Sequence, residues 1–177
     1  MVDGFKEQIA ELYEDFFGEI YAYCVYRLYS RGLAEDATSA VFLRLVEKYP
    51  ALRGKDRNAI RSWLYGTASN FAAGYLRDAA RHRTIMEGLL RDRQRFLRDK
   101  RIEDYGTDWP SVYEAVGRLG EKEQEIVIMR YLHGLQSPQI AAALGMSRVA
   151  VRVRLSRAIR TLRLALDKNH GRSHRDE

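Results

Sequence analysis

The stretch Leu132 to Arg163, LHGLQSPQIAAALGMSRVAVRVRLSRAIRTLR, holds two short helical patterns with a glycine between them. The first opens at Ser137, a favourable N-cap, with Pro138 at the first helical position, where a missing N–H costs nothing. Ile140, Ala141 and Leu144 form its apolar stripe, and Gly145 supplies the turn. Ser147 caps a second helix whose apolar positions, Val151, Leu155, Ala158 and Leu162, recur at three and four. Ala141 is small and lies mid-helix, so the second helix can cross the first closely. The pattern is that of a helix-turn-helix, whose second helix enters the DNA major groove.

Charge decides what the second helix faces. Arg148, Arg152, Arg154, Arg157, Arg160 and Arg163 fall in one run without an acidic residue. At about 100° per residue, Val149, Val153, Ser156, Arg157 and Arg160 point away from the Val151/Leu155 stripe. Arginine grips phosphate or binds guanine edges bidentately, and exposed valine meets thymine methyls. Arg148, Val149, Arg152, Val153, Ser156, Arg157 and Arg160 are therefore the candidate duplex-reading residues. The alternative is a solvated basic helix closing an all-α protein; the caps and the turn favour DNA binding.

The whole chain sets the bounds. Its 177 residues suffice for one or two domains with a sizeable core. A hydrophobic share of 46% with 31% charged residues is ordinary for a soluble helical protein. The net charge of +6 is uneven. Residues 1–50 carry five basic and nine acidic side chains, whereas residues 51–105 carry thirteen and seven, so different surfaces suit different partners. Cys24 is the single cysteine, which excludes an intramolecular disulfide and a cysteine-based zinc site. Its place among apolar helical positions makes it a small core residue. There is no apolar run of membrane-spanning length and no signal-peptide pattern, so the expected location is the cytoplasm.

The segment from Leu119 through the helix-turn-helix resembles domain 4 of sigma-70 family initiation factors, in particular the extracytoplasmic-function (ECF) group. Gln139-Ile140-Ala141, Leu144-Gly145, Ser147, Val151, Arg152, Arg154-Leu155 and Arg157-Ala158 fall in register with that family's pattern. Val149-Ala150 stands where the family often has Gly-Thr, and Val153 where it often has Ser. The resemblance implies that this domain binds the minus-thirty-five promoter element.

The N-terminal part carries the same resemblance. Phe5, Ile9, Leu12, Phe16, Ile20, Cys24 and Leu28 predict a long amphipathic helix over about residues 5–29, its many aromatics either packing between helices or offering a base-stacking surface. Gly18 within it suggests close packing. A second helix is expected from Ala34 to Lys48, stopped by Pro50. Its AEDATSAVFLRLVEKY is similar to the ECF segment that docks on the coiled coil of the polymerase β′ subunit, with Ser39-Ala40 replacing the usual Gln-Glu. The resemblance implies polymerase contacts from Asp36, Ser39, Leu43 and Arg44.

The polar stretch YPALRGKDRNA reads as a loop, either simply solvated or, as the resemblance implies, contacting a base flipped out of the minus-ten element through Arg53, Lys55, Arg57 and Asn58. IRSWLYGTASNFAAGYLRDAARHR resembles the helix that melts and reads the minus-ten element. Trp63, Asn70, Arg77, Arg81 and Arg83 are its candidate DNA contacts, since rings beside arginines suit single strands. For Trp63 a packing role and a base contact stand as equal alternatives. Gly74 replaces the usual Asp.

The expectation is an all-α chain of two small helical domains joined by a charged linker: residues 1–84, a partly helical linker over 85–109, a helix-turn-helix domain over 110–168 and a disordered tail over 169–177. It implies a sigma factor whose partners are core RNA polymerase (β′ coiled coil and β flap), promoter DNA and an anti-sigma factor. No nucleophile–base pair, phosphate-binding glycine loop or metal-ligating cluster is present, so no catalysis, cofactor or metal is expected. The rivals are a helix-turn-helix regulator with an N-terminal sensor, and a sigma-like adaptor that binds polymerase without opening promoters.

Overall fold

A computed structural model describes residues 3–81, 91, 92, 94, 95 and 109–173, and these contain helices and no strand. Three long helices come first: α1 (Asp3–Leu28), α2 (Arg31–Leu52) and α3 (Arg57–Arg81). After residue 108 follow α4 (Trp109–Gly117), α5 (Glu121–Val127), a π-helical turn (Ile128–Leu132), α6 (Ser137–Leu144) and α7 (Arg148–Ser173). Most of the expected linker, and Arg83 with it, lies outside the described residues; 91, 92, 94 and 95 are helical.

The period-three-and-four apolar positions of α1 close on α2 and α3. Leu12, Phe16, Ile20, Tyr23, Cys24 and Leu28 are buried with Val41, Phe42, Leu45, Leu64, Tyr65 and Ala68. The α1 aromatics mostly pack between helices: Tyr13 lies 4.9 Å from Phe42 and Tyr23 5.3 Å from Tyr65, ring centre to ring centre. Around Gly18, by contrast, the space is open. Burial pushes the Cys24 thiol up to about 11.

Two helix boundaries differ from expectation. Pro50 does not stop α2, which runs on to Leu52. Pro50 falls in the last turn, where few bonds are forfeited, and the burial of Tyr49 and Leu52 on either side of it holds that turn in place. Tyr49 also donates from its hydroxyl to Gln8 (2.7 Å) and meets the Phe5 ring edge-on. At the other end of the chain α7 continues to Ser173, five residues past the expected end of the domain.

The buried residues form two clusters. One cluster is made of α4, Val127 and the inner face of α7, with Val116, Leu119, Ala158 and Leu162. The larger cluster is continuous from α1–α3 into Ile126, Ile128, Met129, Leu135, Ile140, Ala141 and Val151. The helix-turn-helix is thus seated on the first three helices, with α6 lying against α3.

Candidate nucleic-acid interface

The helix-turn-helix is built by local chemistry. The N-cap of α6 is Gln136 rather than Ser137; its backbone N–H donates to Gln139 Oε1 (2.7 Å), and Ser137 and Pro138 form the first turn. Gly145 at φ +61° ends α6 in the left-handed region, and Met146 N–H reaches back to the Ala141 carbonyl (2.9 Å). Ser147 Oγ then accepts from Ala150 N–H (3.1 Å), capping α7 as expected.

With Val151 and Ala158 turned inward, the opposite face of α7 is open. Arg148, Val149, Arg152, Val153, Ser156, Arg157 and Arg160 are all exposed, Val149 at 67% and Val153 at 44%. Two branched apolar side chains held in water amid arginines are a poor solvated surface and a good complement to a groove carrying phosphates and methyls. Arg154, from the same run, instead turns back to bond Glu123 of α5 (2.5 Å), fixing α7 to its neighbour.

On α2 the residues Asp36, Ser39, Leu43 and Arg44 form one exposed strip. Leu43 is 62% and Val46 42% exposed. Arg44 pairs with Glu47 one turn on (3.0 Å).

The polar loop between α2 and α3 is ordered by its own residues. Lys55 N–H donates to the Leu52 carbonyl (3.0 Å) across a turn with Gly54 at φ +82°, a conformation that favours glycine. Asp56 then caps α3 by accepting from Ala59 N–H (2.9 Å). Arg53 and Lys55 project into solvent. Arg57 is paired with Asp15 of α1 and lies over the Phe16 ring, while the Asn58 side-chain oxygen accepts from Gln139 Nε2 (3.0 Å). These two candidates are thus engaged by protein groups.

Between α2 and α3 lies an open cleft of about 500 Å³, lined by Arg44, Lys48, Ala51, Leu52, Trp63, Thr67, Asn70 and Phe71. It brings Trp63 and Asn70 together with Arg44, assigned from sequence to a different surface, and with Lys48, which sequence reasoning missed. Lys48 lies one turn beyond Arg44, a spacing that could have flagged it. Trp63 is half-buried, so its ring both packs and lines the cleft. Arg77 is exposed two turns beyond Asn70; α3 ends at Arg81, whose side chain, like Arg83, is outside the described residues.

A polar network, unforeseen from sequence, ties the first three helices to the helix-turn-helix. Glu125, fully buried, accepts from Ser69 Oγ of α3 (2.5 Å) and Lys122 Nζ (3.0 Å) and lies 3.5 Å from the guanidinium of Arg27 on α1. Arg27, 2% exposed, also donates to Gln124 Oε1 (3.3 Å). Arg61 grips Glu19 of α1 with two nitrogens and donates to the His133 carbonyl (2.7 Å). The Glu19 carboxylate holds the Arg61 guanidinium above its ordinary value. The His133 ring sits among Tyr23, Tyr26 and Tyr65, and burial lowers its pKa to about 4. In the same sheltered environment burial raises the Tyr23 and Tyr65 hydroxyls.

Comparison with known proteins agrees with this architecture. Residues 12–82 match the model for sigma-70 region 2, and residues 111–162 that for sigma-70 region 4. The chain is 30% identical over 169 residues to the ECF RNA polymerase sigma factor SigD of Mycobacterium tuberculosis, covering 92% of this chain and 78% of SigD. It is 27% identical to the sigma factor YlaC of Bacillus subtilis, covering 97% of each. It is 29% identical to the ECF sigma factor BldN of Streptomyces coelicolor, of whose length it spans 60%. The fold is shared with CnrH, solved with the cytosolic domain of CnrY (TM-score 0.66, 19% identity, 92% of this chain and 90% of that one). It is shared too with RpoE of Bartonella quintana, solved with the anti-sigma factor NepR (TM-score 0.61, 16% identity, 93% and 97%). The chain belongs to the sigma-70 family of RNA polymerase sigma factors, in its ECF group. This is a family of promoter-recognition factors for transcription initiation, and its members are not enzymes.

Proposed function

We propose that three surfaces divide the work of promoter recognition and opening in this chain. The exposed strip of α2, Asp36, Ser39, Leu43 and Arg44, docks core RNA polymerase on its β′ coiled coil. The α2–α3 loop and the cleft beneath it, with Arg53, Lys55, Trp63 and Asn70, hold the opened minus-ten strand, and Arg77 continues that track along α3. The outward face of α7 reads the minus-thirty-five duplex, with the domain resting on the β flap. The observation that carries this reading is the exposed row of valines and arginines on α7, whose opposite face is buried. The protein works in the cytoplasm; no described helix is long and apolar enough to cross a membrane. A protein inhibitor of the anti-sigma class is a further partner, as for RpoE of Bartonella quintana, solved with the anti-sigma factor NepR.

The test is run-off transcription with core polymerase on genomic fragments, followed by the Asn70→Ala/Arg77→Ala pair. The double variant should keep core binding but lose permanganate reactivity at the start site, and a pre-melted template should restore part of the activity. Full promoter opening by the double variant would remove α3 from the reading.

A further inference from the structure

We propose that the pocket between the end of α1, α4, the π-helical turn and α7 is a binding site for a small, neutral, bicyclic aromatic molecule. Its volume is about 220 Å³. The two apolar clusters meet here without merging: Val116, Val127 and Leu162 belong to the smaller, Ile128 to the larger. An apolar cavity of about 150 Å³ can stay dry and bind benzene, so the additional room here suits a second fused ring. The described residues that line the pocket are three tyrosines and seven aliphatic side chains, with no charge among them. An ionised ligand would lose its hydration there without gaining a partner, which selects a neutral one.

Two departures from regular structure shape this pocket. The π-helical turn Ile128–Leu132 supplies Ile128, Tyr131 and Leu132 to its lining. Tyr131 is 59% exposed and stands at the mouth, while Val116, Val127 and Ile128 are buried and close the floor. Turns of this kind are rare and recur at functional sites. On the other side Tyr29, also in the lining, follows α1 at φ +53°, a conformation uncommon for a residue with a side chain. Such strain persists where the surroundings over-determine it, as they do at ligand clamps. Tyrosine rings meet a flat ring edge-to-face or offset-stacked, contacts that an aliphatic ligand would forgo.

The experiment titrates indole into the full chain and follows binding by calorimetry and by backbone amide NMR. Indole should occupy one site with a Kd below about 1 mM, within reach of a ligand of this size in an apolar pocket. The shifted amides should centre on α4, the π-helical turn and the end of α1. Ile159→Trp, which fills the pocket from α7, should weaken binding at least about tenfold with helical content unchanged. Should that variant misfold, Tyr131→Ala, at an exposed position, must weaken it at least about threefold. Indoleacetate, ionised at neutral pH, should bind at least about tenfold more weakly than indole. No saturation by about 1 mM, shifts centred on the α2–α3 cleft, or undiminished affinity in the folded variants or for indoleacetate overturns the proposal. The titration involves neither polymerase nor DNA, so its outcome is separate from that of the promoter reading.

Discussion

Arg27 and Glu125 carry the largest burden borne by single residues. Each is almost fully buried, and a buried charge is tolerated only when hydrogen-bonded and paired. Removing Arg27 leaves Glu125 with Lys122 and Ser69 as partners, so the penalty should fall toward the lower end of the usual range. Arg27→Ala is expected to lower unfolding stability by about 3 kcal/mol, read as a drop in the urea midpoint at unchanged slope. Glu125→Gln, which keeps an acceptor for Ser69, should cost less. In the sequence Glu125 reads like Glu121 and Glu123, an acidic residue near a helix start, but only Glu121 and Glu123 fall in the first turn of α5. Only the approach of α1 and α3 selects Glu125 for burial.

At the scale of elements, α7 shows how far a periodic pattern carries. The same spacing that buries Val151 and Ala158 turns Val149, Val153, Arg157 and Arg160 outward, so its exposed face was legible before any fold was known. If that face lies in the major groove, log affinity for promoter duplex should fall linearly with log salt. Arg157→Ala or Arg160→Ala should each lower the slope by about 0.9 if the lost contact is to phosphate. Titrations between low and physiological salt measure this, and an unchanged slope in both variants would place the contact elsewhere. Helix ends were less legible. Pro50 reads as a stop, yet the burial of Tyr49 and Leu52 carries α2 past it. Ser137 reads as a cap, yet Gln136 takes that place because Gln139 reaches back to its N–H.

Over the whole molecule, the contact between the two halves should be sensitive to acid through His133. In the folded chain its ring is desolvated and neutral down to about pH 4, whereas a solvated ring takes a proton near pH 6.5. The folded chain therefore binds fewer protons between those values. Its stability is fully present above about pH 6.5 and falls as pH drops toward 4. The surrounding groups are Tyr23, Tyr26 and Tyr65, with the Glu19 charge opposing the shift and Arg61 adding to it. His133→Phe, which keeps an aromatic ring in the cage, should flatten the decline in thermal midpoint over that window. An equally steep decline in the variant would assign the effect to carboxylates instead. The sequence by itself determined the helical class, the two family regions, the helix-turn-helix and its exposed basic face, because capping, turn chemistry and apolar period act over a few residues. The tertiary structure alone decided the cleft that joins Lys48 to Trp63, the burial of Arg27 with Glu125, and the seating of α6 on α3. Those depend on which helix faces meet, and residues far apart in the chain are brought together only by packing.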